Sequence, residues 1–360
     1  MNVVVMGAGA GGAAAVAELV AAGHDVTLWN RSADTLAPFL KRGGIAYEGV
    51  LGSGLAKPRA MTADIADAAK GADVAVVTLP TFLHVPVAQM LAKADWPADA
   101  PIILNPGHTG GALEFAHAYR QVRVDVPPVA EFSTLTYVAR KYRPGEVTIS
   151  GRAKRVPVAA LPGGSMALAA ACTLFPGGEP VNDVLATDLS NVNLVLHPPG
   201  AILAAAWVEA RAGDFTFYVD GMTPGVARVM RQLDDERRAV AGAFGHRLPN
   251  LIEEMQRIGT VESSAESEDY AAAIAAGEAN SKIKAPDSLN HRYYREDFGH
   301  GLVPFLALAK AAGVETPIAA SLLALGESLC GIAFSRHGRT ARSMGIEGLG
   351  KAELLRKVRH

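Results

Sequence analysis

The stretch VVVMGAGAGGAAAVAELVAAGHDVTLWNRS, residues 3–32, decides how this chain folds. Its three valines run without polar alternation, which reads as a short strand buried on both faces. Gly7–Gly12 breaks the run as a loop. Ala13–Ala22 then reads as a helix stopped by Gly23, and Asp25–Trp29 as a second strand. The glycines therefore stand where a strand turns into a helix that returns the chain to a second strand.

Gly7-Ala8-Gly9-Ala10-Gly11-Gly12 fits G-x-G-x-x-G in the context that a dinucleotide requires. Gly7 makes the tight turn, Gly9 lets backbone approach a pyrophosphate, and Gly12 lets helix and strand pack closely. Ala10 lies in the same cofactor loop, and the N-terminus of the helix that follows offers N–H groups to phosphate. An acid normally ends the second strand of such folds and holds the ribose 2′-hydroxyl. Here Asn30, Arg31 and Ser32 stand in that place. An acid would repel a 2′-phosphate, whereas an arginine flanked by small polar groups suits one. NADP(H) is favoured, and NAD(H) stays open, since Arg31 could instead be a solvated residue or stack on adenine.

Outward from this stretch the strand–helix alternation continues. Asp73–Thr78 and Pro101–Leu104 read as buried strands, with helices near Ile65–Lys70, Val85–Ala92 and Ala112–Gln121. Ser32 stands where it could cap a helix running to about Leu40. Val129–Thr136 and Val147–Ser150 read as further strands that extend or close the sheet. Thr78, Leu79 and Pro80 follow a strand end, where ligands lie in open α/β sheets, and are assigned to the cofactor. Beyond about residue 185 long helical stretches take over. The reading is a Rossmann-type dinucleotide-binding domain over 1–185, followed by an all-helical domain over 186–360.

The bulk numbers narrow the function classes. A formal net charge of −2 gives no electrostatic reason for nucleic acid or an anionic membrane as partner. Cys172 and Cys330 are far apart and read as reduced thiols, and no Cys/His spacing suggests a metal. The apolar N-terminal run lacks a basic start and is broken by glycines, so it does not read as a signal peptide. The expectation is a cytoplasmic protein. The apolar stretch SLLALGESLCGIAF suits either core or a homodimer face, and a homodimer is the preferred reading.

Two later stretches carry chemistry. NLVLHPPGAI sets His197 before Pro198 and Pro199. Prolines end a preceding helix, which places His197 at an element boundary. SLNHRYYREDFGHGLVPF crowds His291, Arg292, Tyr293, Tyr294, Arg295, Glu296, Asp297 and His300 ahead of an apolar helix. On composition alone this could be a solvated loop whose acids cap that helix. His84 and His108 are plausible pocket residues, with loop residues without chemistry the preferred reading.

Four places together resemble the opine dehydrogenase family of the octopine/nopaline type: GAGAGG at 7–12, NPGHTGGALEF at 105–115, LHPPG at 196–200 and RYYREDFGHGLVPF at 292–305. The resemblance implies reductive condensation of an α-keto acid with the amino group of an amino acid or amine, through an imine, to a secondary amine. It places the catalytic His/Asp pair on His197 and Asp297. His197 would exchange a proton with the amine or imine nitrogen, and Asp297 would hold the other ring nitrogen. It places a substrate-carboxylate arginine on Arg292, and a substrate-lining threonine on Thr134 in AEFSTLTYVAR. Ser133 and Thr136 stand where that segment often carries Gln and Pro, and Pro198-Pro199 replaces a single proline.

Two alternatives share parts of this plan. A ketopantoate or β-hydroxyacid reductase would use a lysine as acid/base, for which Lys282 and Lys284 are the candidates. A non-catalytic dinucleotide-binding regulator would keep the glycine loop and dispense with the acid/base pair.

Overall fold

The structure is a computed structural model, and it describes residues 1–277 and 280–359. The chain divides into two compact units. The first holds Met1–Gly107 and Gly111–Val184; the second holds His108–Gly110 and Leu185–His360.

The first unit is built on an eight-stranded sheet. In chain order its strands are β1 (Asn2–Met6) and β2 (Asp25–Trp29), then after two strands of another sheet, β5 (Ala60–Thr62), β6 (Val74–Val77), β7 (Ile102–Leu104) and β8 (Val129–Phe132). β11 (Val156–Ala160) and β12 (Gly178–Pro180) complete it, in the order β12-β11-β8-β7-β6-β1-β2-β5. All pairings are parallel except β11 with β8. Val3–Met6, Val74–Val77 and Ile102–Leu104 are buried throughout, as continuous β-branched and aliphatic runs should be in a sheet covered on both faces. The crossover helices are α1 (Ala10–Ala21), α2 (Ala33–Arg42), α3 (Ile65–Ala69), α4 (His84–Lys93), α5 (Gly111–Arg120) and α6 (Ser165–Leu174). The strand order reverses direction at the β1/β6 junction, where open α/β sheets leave a ligand crevice.

Val147–Ser150 does not extend this sheet. It lies in β10 (Glu146–Arg152), part of a separate four-stranded sheet with β3 (Ile45–Gly49), β4 (Gly54–Ala56) and β9 (Tyr137–Arg140), ordered β4-β3-β10-β9. The smaller sheet is tied to α1 through Glu18. Its carboxylate accepts from Tyr137 Oη at 2.6 Å and from Arg152 Nε at 2.8 Å. Ser32 stands at the N-cap of α2 but makes no side-chain cap bond.

The second unit is helical: α7 (Val184–Leu189), which straddles the division, α8 (Val192–Leu203), α9 (Ala205–Arg211), α10 (Pro224–Ala243), α11 (Leu251–Ile258), α12 (Tyr270–Ala276), α13 (Arg292–Asp297), α14 (Val303–Ala312), α15 (Pro317–Cys330), α16 (Phe334–His337) and α17 (Lys351–Arg359). Thr223 caps α10 with Pro224 in its first turn, and Asn250 with Glu253 forms a capping box on α11. Arg237 on α10 pairs with Asp234 at 2.7 Å, and donates to Leu189 O and Pro249 O, each at 2.7 Å. Asp234 also accepts from Leu251 N and Tyr270 Oη, each at 2.8 Å. This buried cluster locks α10 to the start of α11, to α12 and to the end of α7.

The helix that carries His197 departs from the sequence reading. Pro198 and Pro199 do not end it; α8 runs through both. Each proline lacks the N–H that would reach back one turn, and its ring crowds the carbonyl there. Packing outweighs that cost, because every residue from Leu194 to Ala201 is buried. His197 therefore projects from the middle of a buried helix and not from an element boundary.

Candidate active site

In the first unit the glycine loop links β1 to α1. Gly7 has φ +119°, and its N–H donates to Trp29 O at 2.8 Å. A Cβ on Gly12 would lie 1.8 Å from Gly7 O, so no side chain fits there. A Cβ on Gly9 would meet nothing within 4 Å. The close-packing and the open glycine are thus separate positions, as a pyrophosphate cradle requires. Helix α1 begins at Ala10 with no acid in its first turn and no side-chain cap, leaving its dipole and N–H groups for an anion. Thr78 follows β6 across the crevice: its N–H reaches Met6 O at 2.9 Å and its hydroxyl Met6 O at 3.1 Å. Leu79 packs over Gly7, and Pro80 starts the next turn.

At the end of β2, Asn30 Oδ1 accepts from Ala8 N at 3.1 Å and Asn30 Nδ2 donates to Ser32 O at 3.1 Å. Asn30 thus ties the glycine loop to the segment entering α2, while Arg31 is exposed. A residue that the sequence reading passed over joins them. Lys141, just after β9, donates to Ala8 O at 3.0 Å and lies 4.7 Å over the Phe39 ring. Burial lowers its pKa. No spacing rule links residue 141 to residue 8; only the pairing of the smaller sheet brings it there. Thr134 lies in the loop after β8, next to Leu135, whose side chain packs over Gly11.

In the second unit, α8 and α13 place a polar chain among aromatic rings. His197 Nδ1 lies 2.7 Å from Asp297 Oδ2, with the two side chains 3% and 4% exposed. His197 Nε2 lies 2.8 Å from Tyr218 Oη, which lies 3.2 Å from Tyr293 Oη. The imidazole stacks on Tyr293 at 3.8 Å between centroids, and Phe217 meets it edge-on at 6.3 Å. The stretch RYYRED forms α13 and not a loop. Tyr293 and Asp297 are four residues apart, so one helix face delivers both the ring that supports the imidazole and the carboxylate that binds it. A π-helical turn, Phe298–Leu302, carries the chain from α13 into α14, a distortion often found at functional sites.

The electrostatics follow from burial. Loss of solvent pushes the His197 imidazolium well below its ordinary range, and nearby Arg292 acts in the same direction. Loss of solvent, reinforced by Glu296, pushes the Asp297 carboxyl well above its ordinary range. Burial likewise holds Tyr218 as a neutral phenol. Arg292 remains exposed, with its guanidinium 5.9 Å over the Tyr293 ring. Such an assembly has the chemistry to exchange a proton, with a cation close by.

His108 lies on a loop, whereas His84 is the buried first residue of α4. The tripeptide His108–Gly110 belongs to the helical unit, although it lies early in sequence. Arg339 Nη1 donates to Thr109 O and Gly110 N donates to Asp188 Oδ1, both at 2.6 Å. His108 is buried with positive φ, and it feels the charges of Glu296, Asp297 and Arg292. Glu131, in the AEFSTLTYVAR stretch, accepts from Ala112 N at 2.7 Å at the start of α5. Lys284 is exposed and pairs with Asp214 at 3.0 Å, and Lys282 is exposed as well. Neither lysine has the buried setting that tunes an acid/base group. Cys172 and Cys330 are both free.

Comparison with known proteins adds an independent line. Residues 180–330 match the family model of the NAD/NADP octopine/nopaline dehydrogenase α-helical domain, and residues 3–121 match that of ketopantoate reductase PanE/ApbA. An opine dehydrogenase of Arthrobacter sp. (strain 1C) is 35% identical over 97% of this chain and 96% of its own. The fold matches octopine dehydrogenase solved with NADH and agmatine, at TM-score 0.78 and 19% identity over 99% of this chain and 98% of that one. A PanE/ApbA family ketopantoate reductase from Ralstonia eutropha JMP134 matches less closely, at TM-score 0.61 and 21% identity over 92% and 99% of the two chains.

Proposed function

Since the chain belongs to the opine dehydrogenase family, we propose that it reductively condenses an α-keto acid with the amino group of an amino acid or amine, giving a secondary amine through an imine. The observation that carries the reading is the buried Asp297–His197 pair inside the family's helical domain. His197 is the acid/base group for the substrate nitrogen. Asp297 orients it and balances the imidazolium as that forms. Arg292 takes a substrate carboxylate in a bidentate pair, and Thr134 lines the substrate. Burial of His197 keeps water from the proton transfer, which protects an imine from hydrolysis.

Gly7, Gly9, Ala10 and Gly12 hold the pyrophosphate of a nicotinamide dinucleotide, with Thr78, Leu79 and Pro80 along its other side. When bound, the reduced cofactor supplies the hydride that converts imine to amine. NADP(H) is the favoured form. Exposed Arg31 supports that, as do the absence of an acid at the end of β2 and the Lys141 ammonium beside Ala8. Asn30 and Ser32 shape the same corner.

Among the described residues no helix is long and apolar enough to cross a membrane. A cytoplasmic homodimer is our reading of the assembly, with exposed Leu325 on α15 at the shared face. Sedimentation of the wild type against Leu325→Glu tests it.

The reading is tested by NADPH oxidation with pyruvate across a panel of amino acids and simple amines, with NADH in parallel. Oxidation that depends on the amine is the expected result, faster with NADPH. Oxidation with keto acid alone would replace this reading with a hydroxyacid reductase.

A further inference from the structure

His197 has two nitrogens, and both are occupied. Nδ1 faces Asp297 at 2.7 Å and Nε2 faces Tyr218 Oη at 2.8 Å. An imidazole nitrogen has one in-plane position for a hydrogen-bond partner. Tyr293 covers one face of the ring at 3.8 Å, and the side chain is 3% exposed. Tyr218 Oη therefore occupies the position at Nε2 that a substrate nitrogen would need in order to meet His197 directly.

Tyr218 is fixed where it stands. It is 4% exposed, its ring sits edge-on to Phe217 at 5.1 Å, and its hydroxyl is braced by Tyr293 Oη at 3.2 Å. A phenol carries one donor and two acceptor positions. With His197 on one side and Tyr293 on another, a third position is left for a substrate N–H or lone pair.

We propose that Tyr218 is a catalytic residue of this site: its hydroxyl touches the substrate nitrogen and relays the proton between that nitrogen and His197 Nε2. The inference rests on the imine-reducing function above. In amine oxidation the substrate ammonium N–H bond breaks and its proton joins Tyr218 Oη. The phenol's own O–H bond breaks in the same motion and its proton joins Nε2. The positive charge moves from substrate to imidazole, beside Asp297. The lone pair left on nitrogen would then favour loss of hydride from the neighbouring carbon, the chemistry that an oxidised dinucleotide would supply when bound. Imine reduction runs the relay backwards, with the imidazolium proton passing to Oη and the phenol proton to the new amine. Tyr218 ends each turnover as it began, a neutral phenol.

The test is amine-dependent turnover of the wild type, Tyr218→Phe and His197→Asn/Tyr218→Phe, with NADPH binding followed by fluorescence. We expect Tyr218→Phe to bind NADPH normally and to lose turnover about 10²-fold or more, the scale of a missing acid/base group. The double variant should be no slower than His197→Asn alone. Should Tyr218→Phe fail to fold, 3,5-difluorotyrosine at position 218 keeps the ring and hydroxyl while making the phenol more acidic. A relay then changes single-turnover rate, and an unchanged rate overturns it. Wild-type turnover on amines with Tyr218→Phe equally fast overturns the relay and leaves the function standing. Wild-type oxidation with keto acid alone overturns both.

Discussion

Two buried carboxylates of the helical unit, Asp234 and Asp297, lie beside basic partners in networks of opposite kind. Asp234 and Arg237 lie three residues apart on one helix, and their remaining bonds go to Leu189 O, Pro249 O, Leu251 N and Tyr270. Most of the network ends on backbone groups, which cannot change protonation. Asp297 and His197 are one hundred residues apart and join through Tyr218 to Tyr293. That network ends on an imidazole and hydroxyls, groups that can both donate and accept a proton. A buried charge alone therefore marks nothing; what the chain of bonds ends on separates a brace from a site.

The sharpest way to break this comparison is to cut both. His197→Asn should leave thermal unfolding near the wild-type midpoint and NADPH binding intact, while turnover falls by roughly 10²–10⁴-fold. Asp234→Ala should do the reverse. It strands the buried Arg237 charge, which costs about 3–5 kcal/mol of stability, while turnover per folded molecule holds. Urea unfolding and active-site-normalised rates on both variants check this. A catalytic loss in Asp234→Ala without a stability loss would mean the two networks are one.

A smaller effect concerns the glycine loop. Gly12→Ala puts a methyl group 1.8 Å from Gly7 O, so the turn must open. NADPH affinity should fall at least tenfold, about 1.4 kcal/mol. Gly9→Ala has free space in the absence of ligand and should fold normally, with its methyl group meeting only the bound pyrophosphate. Titration of NADPH fluorescence against both, with unfolding midpoints alongside, separates the packing glycine from the ligand-facing one.

The geometry of the glycine loop was more legible in the sequence than that of the helical unit's polar chain. The β1–α1 turn is local: all its parts lie within thirty residues, and the period change from strand to helix fixes their geometry. The smaller sheet was hidden because its central pairing, β10 with β3, joins segments far apart in sequence, although β3–β4 and β9–β10 are each local hairpins. Lys141 reached the glycine loop through that unseen sheet. In the helical unit the pair His197 and Asp297 was legible only through family resemblance, since nothing periodic links α8 to α13. Tyr293 could have been found from its four-residue spacing to Asp297. Tyr218 had no such signal. The Pro198-Pro199 doublet misled for a physical reason: a local rule about backbone N–H groups lost to burial of a whole helix turn.

The smallest expected effect bears on the corner at Asn30–Ser32. Arg31 is exposed and Lys141 holds a backbone carbonyl of the loop, so the two cations are not equivalent. A free guanidinium reorganises little to meet a 2′-phosphate. The ammonium spends one of its N–H donors on Ala8 O, which ties it to the loop and leaves it less free to follow a 2′-phosphate. Hydrogen bonds to charged groups contribute about 1.5–3 kcal/mol, part of which is lost to solvent screening at an exposed site. Arg31→Ala should therefore lower the NADPH over NADH preference by about tenfold, through KM for NADPH, with NADH kinetics unchanged. Lys141→Ala should change that ratio less, and should weaken both cofactors together by loosening the loop at Ala8. Equal loss of NADH and NADPH in Arg31→Ala would place Arg31 on the adenine or pyrophosphate and not on the 2′-phosphate. The phosphate preference would then have to come from Lys141 or from the backbone near Ser32.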